Sequence, residues 1–315
     1  MAALTPAVPL VASAPVAKLR RHQWLSILGQ AVRTPRGAVG LTLTTLIVLL
    51  AAIGPSVAPY NPDAFVGIPF AKPSGQFLLG TDYLGRDVLS RTLDGGWELL
   101  VMALLATVFG LIVGATAGIS AAYLRGRADG LIMRTVDVIL AFPQLVFALL
   151  LVSILGPKLW LIVLAVGFSH APACARVLRS ATLDVSERDF VKAVELQGMR
   201  SSTVMRKEIL PNLISPIMVE AGLRLTYSIV IMAGLSYLTF GPPPPLPNWG
   251  TDIGLNQLGL APAANLWSVV VPATLIALLT IGTNTFTDAI ARVAIGVDRK
   301  PEEAALLDNI GVQAA

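Results

Sequence analysis

Six stretches of this sequence run for about 20 residues with few charges, which is the length a helix needs to cross the hydrocarbon core of a bilayer. They are approximately Ala38–Ala58, Leu99–Tyr123, Leu131–Leu155, Leu159–Val177, Ile214–Tyr237 and Leu266–Ala291. Hydrocarbon offers no partner to a peptide N–H or C=O, so such stretches have to fold as helices or as a closed barrel. Their length fits helices. The composition agrees. Of 315 residues, 55% are hydrophobic and 13% charged, where soluble domains carry about 25% charged residues. Mean hydropathy is +0.73. The expected fold class is an all-α polytopic membrane protein with six transmembrane helices. His170 and Pro172 interrupt the fourth run, and Arg134 and Asp137 place the first turn of the third at the interface.

The leader, Met1–Gly37, is long and rich in Ala and Pro, whereas a signal peptide starts its apolar region sooner. It is expected to stay on the protein as a cytoplasmic segment. Orientation follows from Lys and Arg in the connecting segments. With the N-terminus inside and six crossings, 18 of the 23 basic residues fall inside. Lys72, Arg86, Arg91 and Lys158 fall outside, and Arg224 lies within a span. Both termini are therefore expected in the cytoplasm. The chain divides into an N-terminal segment (1–37), a first span with an outer loop (38–98), a five-span core (99–299) with an inner loop at 186–212, and a tail (300–315).

Several functions are disfavoured. A net charge of +4, dispersed along the chain, argues against nucleic acid. The lone cysteine, Cys174, forms no internal disulfide. No G-x-x-x-x-G-K-[ST] loop is present to hold nucleotide phosphates, and His22 and His170 lie too far apart for a metal site. No catalytic or metal-binding residues are expected. Any ATP and Mg must be bound by another chain.

Polar and small residues inside the spans form three patterns. Gly110, Gly114 and Gly118 recur every four residues, a spacing that lets two helices approach closely. Glu220 and Arg224 pair on one helix face, either for structure or as part of a pathway wall. Asn284 and Asp288 share a face of the last span, with Asp288 near its inner end.

The inner loop, from Ser186 to Asn212, has the pattern helix, break, helix. Asp189 is expected to cap a helix over Phe190–Gln197, Gly198 to stop it, and a second helix from Ser202 to close at Pro211. Phe190, Val194 and Leu196 give the first helix apolar surface, suited either to a partner's groove or to the lipid surface.

Here the sequence resembles a family. Val191-Lys-Ala-Val, the register to Gly198, and Ile209-Leu-Pro-Asn212 resemble the EAA signature of ABC-importer permeases. Lys192, Val194 and Glu208 depart from its usual Glu, Ala and His. Gly80-Thr81-Asp82 with Gly85-Arg86-Asp87 and Ser90-Arg91 is similar to the outer segment of dipeptide, oligopeptide and nickel permeases, in the shorter C-type subunit. Leu235–Gly250, with its proline run and Trp249, resembles the end of that family's fifth span, with Thr239 in place of a glycine. Asp129, Arg134, Asp137, Phe142 and Pro143, then Trp267, Pro272, Asn284 and Asp288, follow in the family's order. His170 stands where a tryptophan is more usual.

The resemblance implies a type I ABC-importer permease fold in the bacterial inner membrane, importing dipeptides or oligopeptides. It implies a related permease as heterodimer partner, two ATP-binding subunits and an extracytoplasmic substrate-binding protein. Phe190, Val191, Ala193, Val194, Leu196, Gly198, Leu210 and Pro211 are the implied coupling residues. Glu220, Arg224 and Asn284 are candidates to line the pathway. Gly80, Thr81, Asp82, Gly85, Arg86 and Asp87 build the outer loop, either folding it on itself through charge-assisted bonds or meeting a partner; Trp249 is expected at the interface. Alternatives are a permease for nickel or another small solute, and an ion-driven secondary transporter. The latter expects internal repeats with broken helices at matching positions.

Overall fold

The computed structural model describes residues 23–295 apart from 157, 244, 262 and 263. The basic residues Lys18, Arg20, Arg21, Arg299 and Lys300, most of the leader, and the tail at 300–315 lie outside the described residues. Among the described residues there is no β-strand, only two isolated bridges in the outer loop.

Helix α1 (Gln23–Arg33) precedes α2 (Pro35–Val57). Thr34 caps α2 by accepting a hydrogen bond from the Gly37 N–H at 3.0 Å, and Pro35 occupies the first helical turn, where its missing N–H costs nothing. A loop and the short α3 (Val88–Asp94) lead to α4 (Gly96–Leu124), α5 (Gly126–Leu140) and α6 (Gln144–Leu155). Then come α7 (Leu159–Ser186), α8 (Asp189–Leu196), α9 (Ser201–Val204), α10 (Ile214–Tyr237), α11 (Trp249–Leu255) and α12 (Trp267–Ile295).

Among the described residues, five helices are long and apolar enough to cross a membrane. The third expected span is not one helix. It breaks into α5 and α6, which meet at 88°. Pro143 explains the break: its extended backbone (φ −57°, ψ 131°) starts α6, and a proline disfavours helix at the residue before it. The fourth span, by contrast, is continuous. α7 runs through His170 and Pro172, because neighbouring helices can compensate the backbone group a proline leaves unpaired.

Helices α4 and α7 pack side by side in parallel. A Cβ on Gly110 would reach the backbone of Gly167, one on Gly114 that of Ala171, and one on Gly118 that of Ala175. The three glycines therefore serve close packing. Because α4 and α7 run the same way, the chain must travel back between them. The bent pair α5–α6 makes that return and counts as one crossing, giving six.

The main core joins α2, α4, α6, α7, α10 and α12 around Leu99, Met102, Ile162, Ile229, Leu235 and Leu279. A second cluster, with Ile119, Val185, Val191, Val204, Ile209 and Leu213, sits at the far end of α4. There α1 also docks: Ala31, with Ile27 and Leu28, packs on Ala289, Ile290 and Val293 of α12 and on Met218 and Val219 of α10. The first and last of the described helices thus meet at the same end of the bundle as α8. Leu104 (53% exposed) and Ile112 (58%) on α4, with Ile154 (70%) on α6, are apolar groups directed away from the bundle, as lipid requires.

Candidate functional site

At the end of the bundle beside α8, the inner loop differs from its expected form in two places. Arg188, not Asp189, precedes α8, and Asp189 lies in its first turn. Pro211 does not close the second helix. The chain passes from α9 through a π-helical turn (Met205–Ile209) and a 3₁₀ turn (Leu210–Leu213) directly into α10. The wider turn just ahead of Pro211 accommodates the missing N–H and the ring without ending the helix. Gly198 does stop α8, with φ +76° and its N–H donating to the Glu195 carbonyl at 2.9 Å.

α8 has two unlike faces. Val191 is fully buried, and Phe190 and Val194 are half-buried beside it against the second core cluster. On the other side Ala193 and Gly198 are exposed, and Leu196 is 90% exposed. Leu210 and Pro211 are exposed nearby in sequence. One side of α8 holds it to the bundle and the other is free.

At the opposite end, the outer loop folds on itself. Gly80 (φ +72°) and Gly85 (φ +78°) make turns that other residues enter with strain. The Thr81 hydroxyl donates to the Ile68 carbonyl at 2.6 Å and accepts from the Ala71 N–H at 2.8 Å. Asp82 accepts from the Leu84 and Arg86 N–H groups and from Arg86 Nε at 2.7 Å. Asp87 caps α3 by accepting from the Ser90 N–H and hydroxyl. All four motif side chains are buried; Thr81, Asp82 and Asp87 are satisfied within the loop, while Arg86 pairs through its Nε and its Nη2 has no partner among the described residues.

Arg91 ties this loop to the segment before α12. Its Nε and Nη2 donate to Asp252 Oδ1 at 3.0 and 2.6 Å, and its Nη1 to the Pro62 and Pro245 carbonyls. Burial pushes the Asp252 carboxyl up to about 6, with Arg91 pulling it back down. Asn265 donates to the carbonyls of Leu79 and Thr81, and Asn256 accepts from the Tyr83 N–H. Trp249 is fully buried, not interfacial. It packs against Gly96, and its indole N–H donates to the Thr92 carbonyl at 2.7 Å. Indole is costly to bury unless its N–H is satisfied, and here it is.

In mid-bundle, Arg224 donates twice to Glu220 Oε2, at 2.9 and 2.8 Å, and both residues are buried. Asn284 lies apart from them. It lines an open pocket of about 430 Å³ with Arg36, Val219, Leu223, Thr287 and Asp288. Arg36 and Asp288 form an exposed ion pair across it at 3.5 Å.

Sequence reasoning missed Asp252, Tyr227 and the structural weight of Arg91. An acidic residue three positions after Trp249, in a weakly charged outer segment, was the available signal for Asp252.

The family described as "Binding-protein-dependent transport system inner membrane component" matches residues 110–294. The chain is 37% identical to the Di/tripeptide transport system permease protein DppC of Pseudomonas aeruginosa, over 81% of this chain and 86% of that protein. It is 37% identical to the Dipeptide transport system permease protein DppC of Escherichia coli, over 82% and 88%. It is 30% identical to the Glutathione transport system permease protein GsiD of Pectobacterium atrosepticum, over 91% and 94%. The fold is similar to a chain of the MetNI methionine ABC transporter in inward-facing form, with TM-score 0.50 and 20% identity over 63% of this chain and 93% of that one. A bundle with a parallel glycine-packed helix pair, a two-faced helix at one end and relatives of this length and identity leaves one assignment: the chain belongs to the family of inner-membrane components of binding-protein-dependent transport systems.

Proposed function

We propose that this chain is the permease subunit of an ATP-driven importer of dipeptides and oligopeptides, forming half of the translocation pathway. It is a multi-pass protein of the bacterial inner membrane and a non-catalytic subunit. The peptide substrate is supported by relatives whose names specify dipeptide, tripeptide and glutathione transport. The observation that carries the coupling role is α8, anchored by Val191 yet offering Leu196 at 90% exposure on its free side. A large apolar side chain held out on a fixed helix suits a groove in an ATP-binding subunit. Phe190 and Val194 join the anchor, while Ala193, Leu196, Gly198, Leu210 and Pro211 offer the docking surface.

The complete importer would pair this chain with a related permease, two ATP-binding subunits that hold ATP and Mg, and an extracytoplasmic substrate-binding protein. ATP binding would draw the ATPases together and move α8. That motion would pass across the turn at Gly198 to α9, which runs without a break through the π and 3₁₀ turns into α10. The pathway would then accept substrate from the binding protein and reset after hydrolysis. ATP drives this only by favouring one state over the other. The pocket beside Asn284 is a candidate stretch of pathway wall. A secondary transporter would show broken helices at matching positions in two halves; the described residues contain a single bent pair, α5–α6.

Reconstitution with the partner chains tests the proposal. Labelled dipeptide should enter vesicles only with ATP and binding protein, and without an ion gradient. Uptake driven by an ion gradient through this chain alone, or of nickel in place of peptide, overturns it.

A further inference from the structure

His170 is fully buried in α7, and neither ring nitrogen has a hydrogen-bond partner among the described residues. Burying a polar group without a partner is costly, and a native structure that does so calls for an explanation. Its nearest ring neighbour is on α10. Its ring lies 6.5 Å from that of Tyr227 on α10, and the Arg224 guanidinium stands 5.7 Å over the same tyrosine ring. Arg224 is held in turn by Glu220. Glu220, Arg224 and Tyr227 are four and three residues apart, so they form one stripe on α10, facing the seam with α7.

The two sides of that seam are anchored differently. α7 is locked to α4 by backbone-to-backbone packing at Gly110, Gly114 and Gly118. α10 meets α4 through side chains, including a hydrogen bond between the Thr107 and Ser228 hydroxyls at 3.0 Å, and its first residues continue from α9 through the π and 3₁₀ turns. Of the two contacts, the one between α10 and the α4–α7 pair is thus the less tightly locked, and His170 lies on its α7 side, beside Tyr227 of α10.

We infer that His170 is a positioning residue for the change of pathway state: unpartnered here, its imidazole takes a hydrogen bond from the Glu220–Arg224–Tyr227 stripe once α10 moves. The unpaired ring burdens the state seen here and so tilts the protein toward the other. Glu220 and Arg224 are buried and Tyr227 is 47% exposed, so the stripe runs from the interior of the bundle to its surface. This rests on the importer function proposed above.

The test uses the assembled transporter with His170→Phe, which keeps an aromatic ring and removes both nitrogens, and His170→Gln, which keeps hydrogen-bonding ability. The phenylalanine variant should raise the melting temperature of the nucleotide-free complex by about 2–4 °C. It should lower the maximal rate of ATP-driven uptake about fivefold and leave the apparent KM unchanged. The glutamine variant should restore much of the rate. Greater stability with slower transport is a combination that a merely structural histidine does not produce. If His170→Phe lowers the melting temperature, a buried water or another partner already satisfies the ring, and the inference falls. It falls equally if the rate does not change. Failure of the unmodified complex to import peptide would count against the importer function, while the melting temperature still judges His170.

Discussion

At the scale of single residues, Arg91 does more than any other side chain to hold the outer loop together. It joins Asp252, Asp63, Asp82 and two carbonyls that lie far apart in sequence. Removing one partner of a buried ion pair costs about 3–5 kcal/mol, because the other charge stays buried alone. Arg91→Gln should therefore lower stability by about that amount at pH 7, read by thermal unfolding of the purified complex. The pH profile should change as well. The folded-state pKa of Asp252, about 6, lies above the ordinary value of 3.8. The folded protein thus takes up the proton first, and the stability from this site is full below about pH 4 and lost as pH rises through 6. Arg91 pulls that pKa down, so in the Arg91→Gln variant the loss should extend above pH 6; an unshifted profile would show that the two groups are not coupled. The motif around Asp82 and Arg86 was legible in the sequence as a loop that folds on itself, since its turn glycines and opposite charges are local. Asp252 was not legible as their partner, because 161 residues separate it from Arg91 and nothing local marks a contact at that range. Trp249 misled for a related reason. Its indole suits an interface, and only the approach of Gly96 makes a buried slot for it.

Among elements, helices with uniform apolar runs and polar ends were the easiest to read: α10 spans Ile214–Tyr237, as the run of apolar residues indicates. The break between α5 and α6 was harder, because Pro143 alone does not separate a bent helix from a broken one, and Pro172 in α7 breaks nothing. α1 escaped because it has no apolar run; it is fixed by one side only, through Ile27, Leu28 and Ala31. The inner loop was legible as helix, break, helix, and its continuity with α10 was not, since a π turn before a proline leaves no trace in periodicity. That continuity matters for the coupling proposed for α8, since a push on the loop would reach α10 through α9 and the two turns. Leu196→Asp changes a side chain that is 90% exposed, so folding should be unaffected, and a change in melting temperature above about 1 °C would be a surprise. Peptide uptake should nonetheless fall at least tenfold while the ATPases continue to hydrolyse ATP. Gly198→Val should uncouple in the same way. A Cβ there meets no neighbouring atom, but a left-handed backbone costs a side-chain-bearing residue about 1–2 kcal/mol, which would displace the end of α8. Undiminished uptake in both variants would remove α8 from the coupling path.

For the whole molecule, charge and packing reach the same topology by independent routes. Counting Lys and Arg favours an even number of crossings. The parallel packing of α4 and α7 requires α5–α6 to cross, which also makes six, and the contact of α1 with the end of α12 brings the first and last helices together. Geometry alone does not say which end faces the cytoplasm; the count of Lys and Arg favours α8 and both termini inside. Single cysteines decide it. The native thiol, Cys174, is fully buried, so replacing it with alanine gives a silent background. Leu196→Cys sits on α8, Leu258→Cys lies in the outer segment at 74% exposure, and Lys158→Cys lies exposed between α6 and α7. In intact spheroplasts a membrane-impermeant maleimide should label positions 258 and 158, and position 196 only after permeabilisation. The three positions separate two errors. Reversal of all three would invert the molecule and place α8 out of reach of any cytoplasmic ATPase. Labelling of 158 together with 196 would instead mean that α5–α6 turns back without crossing, and the parallel arrangement of α4 and α7 would then be untenable.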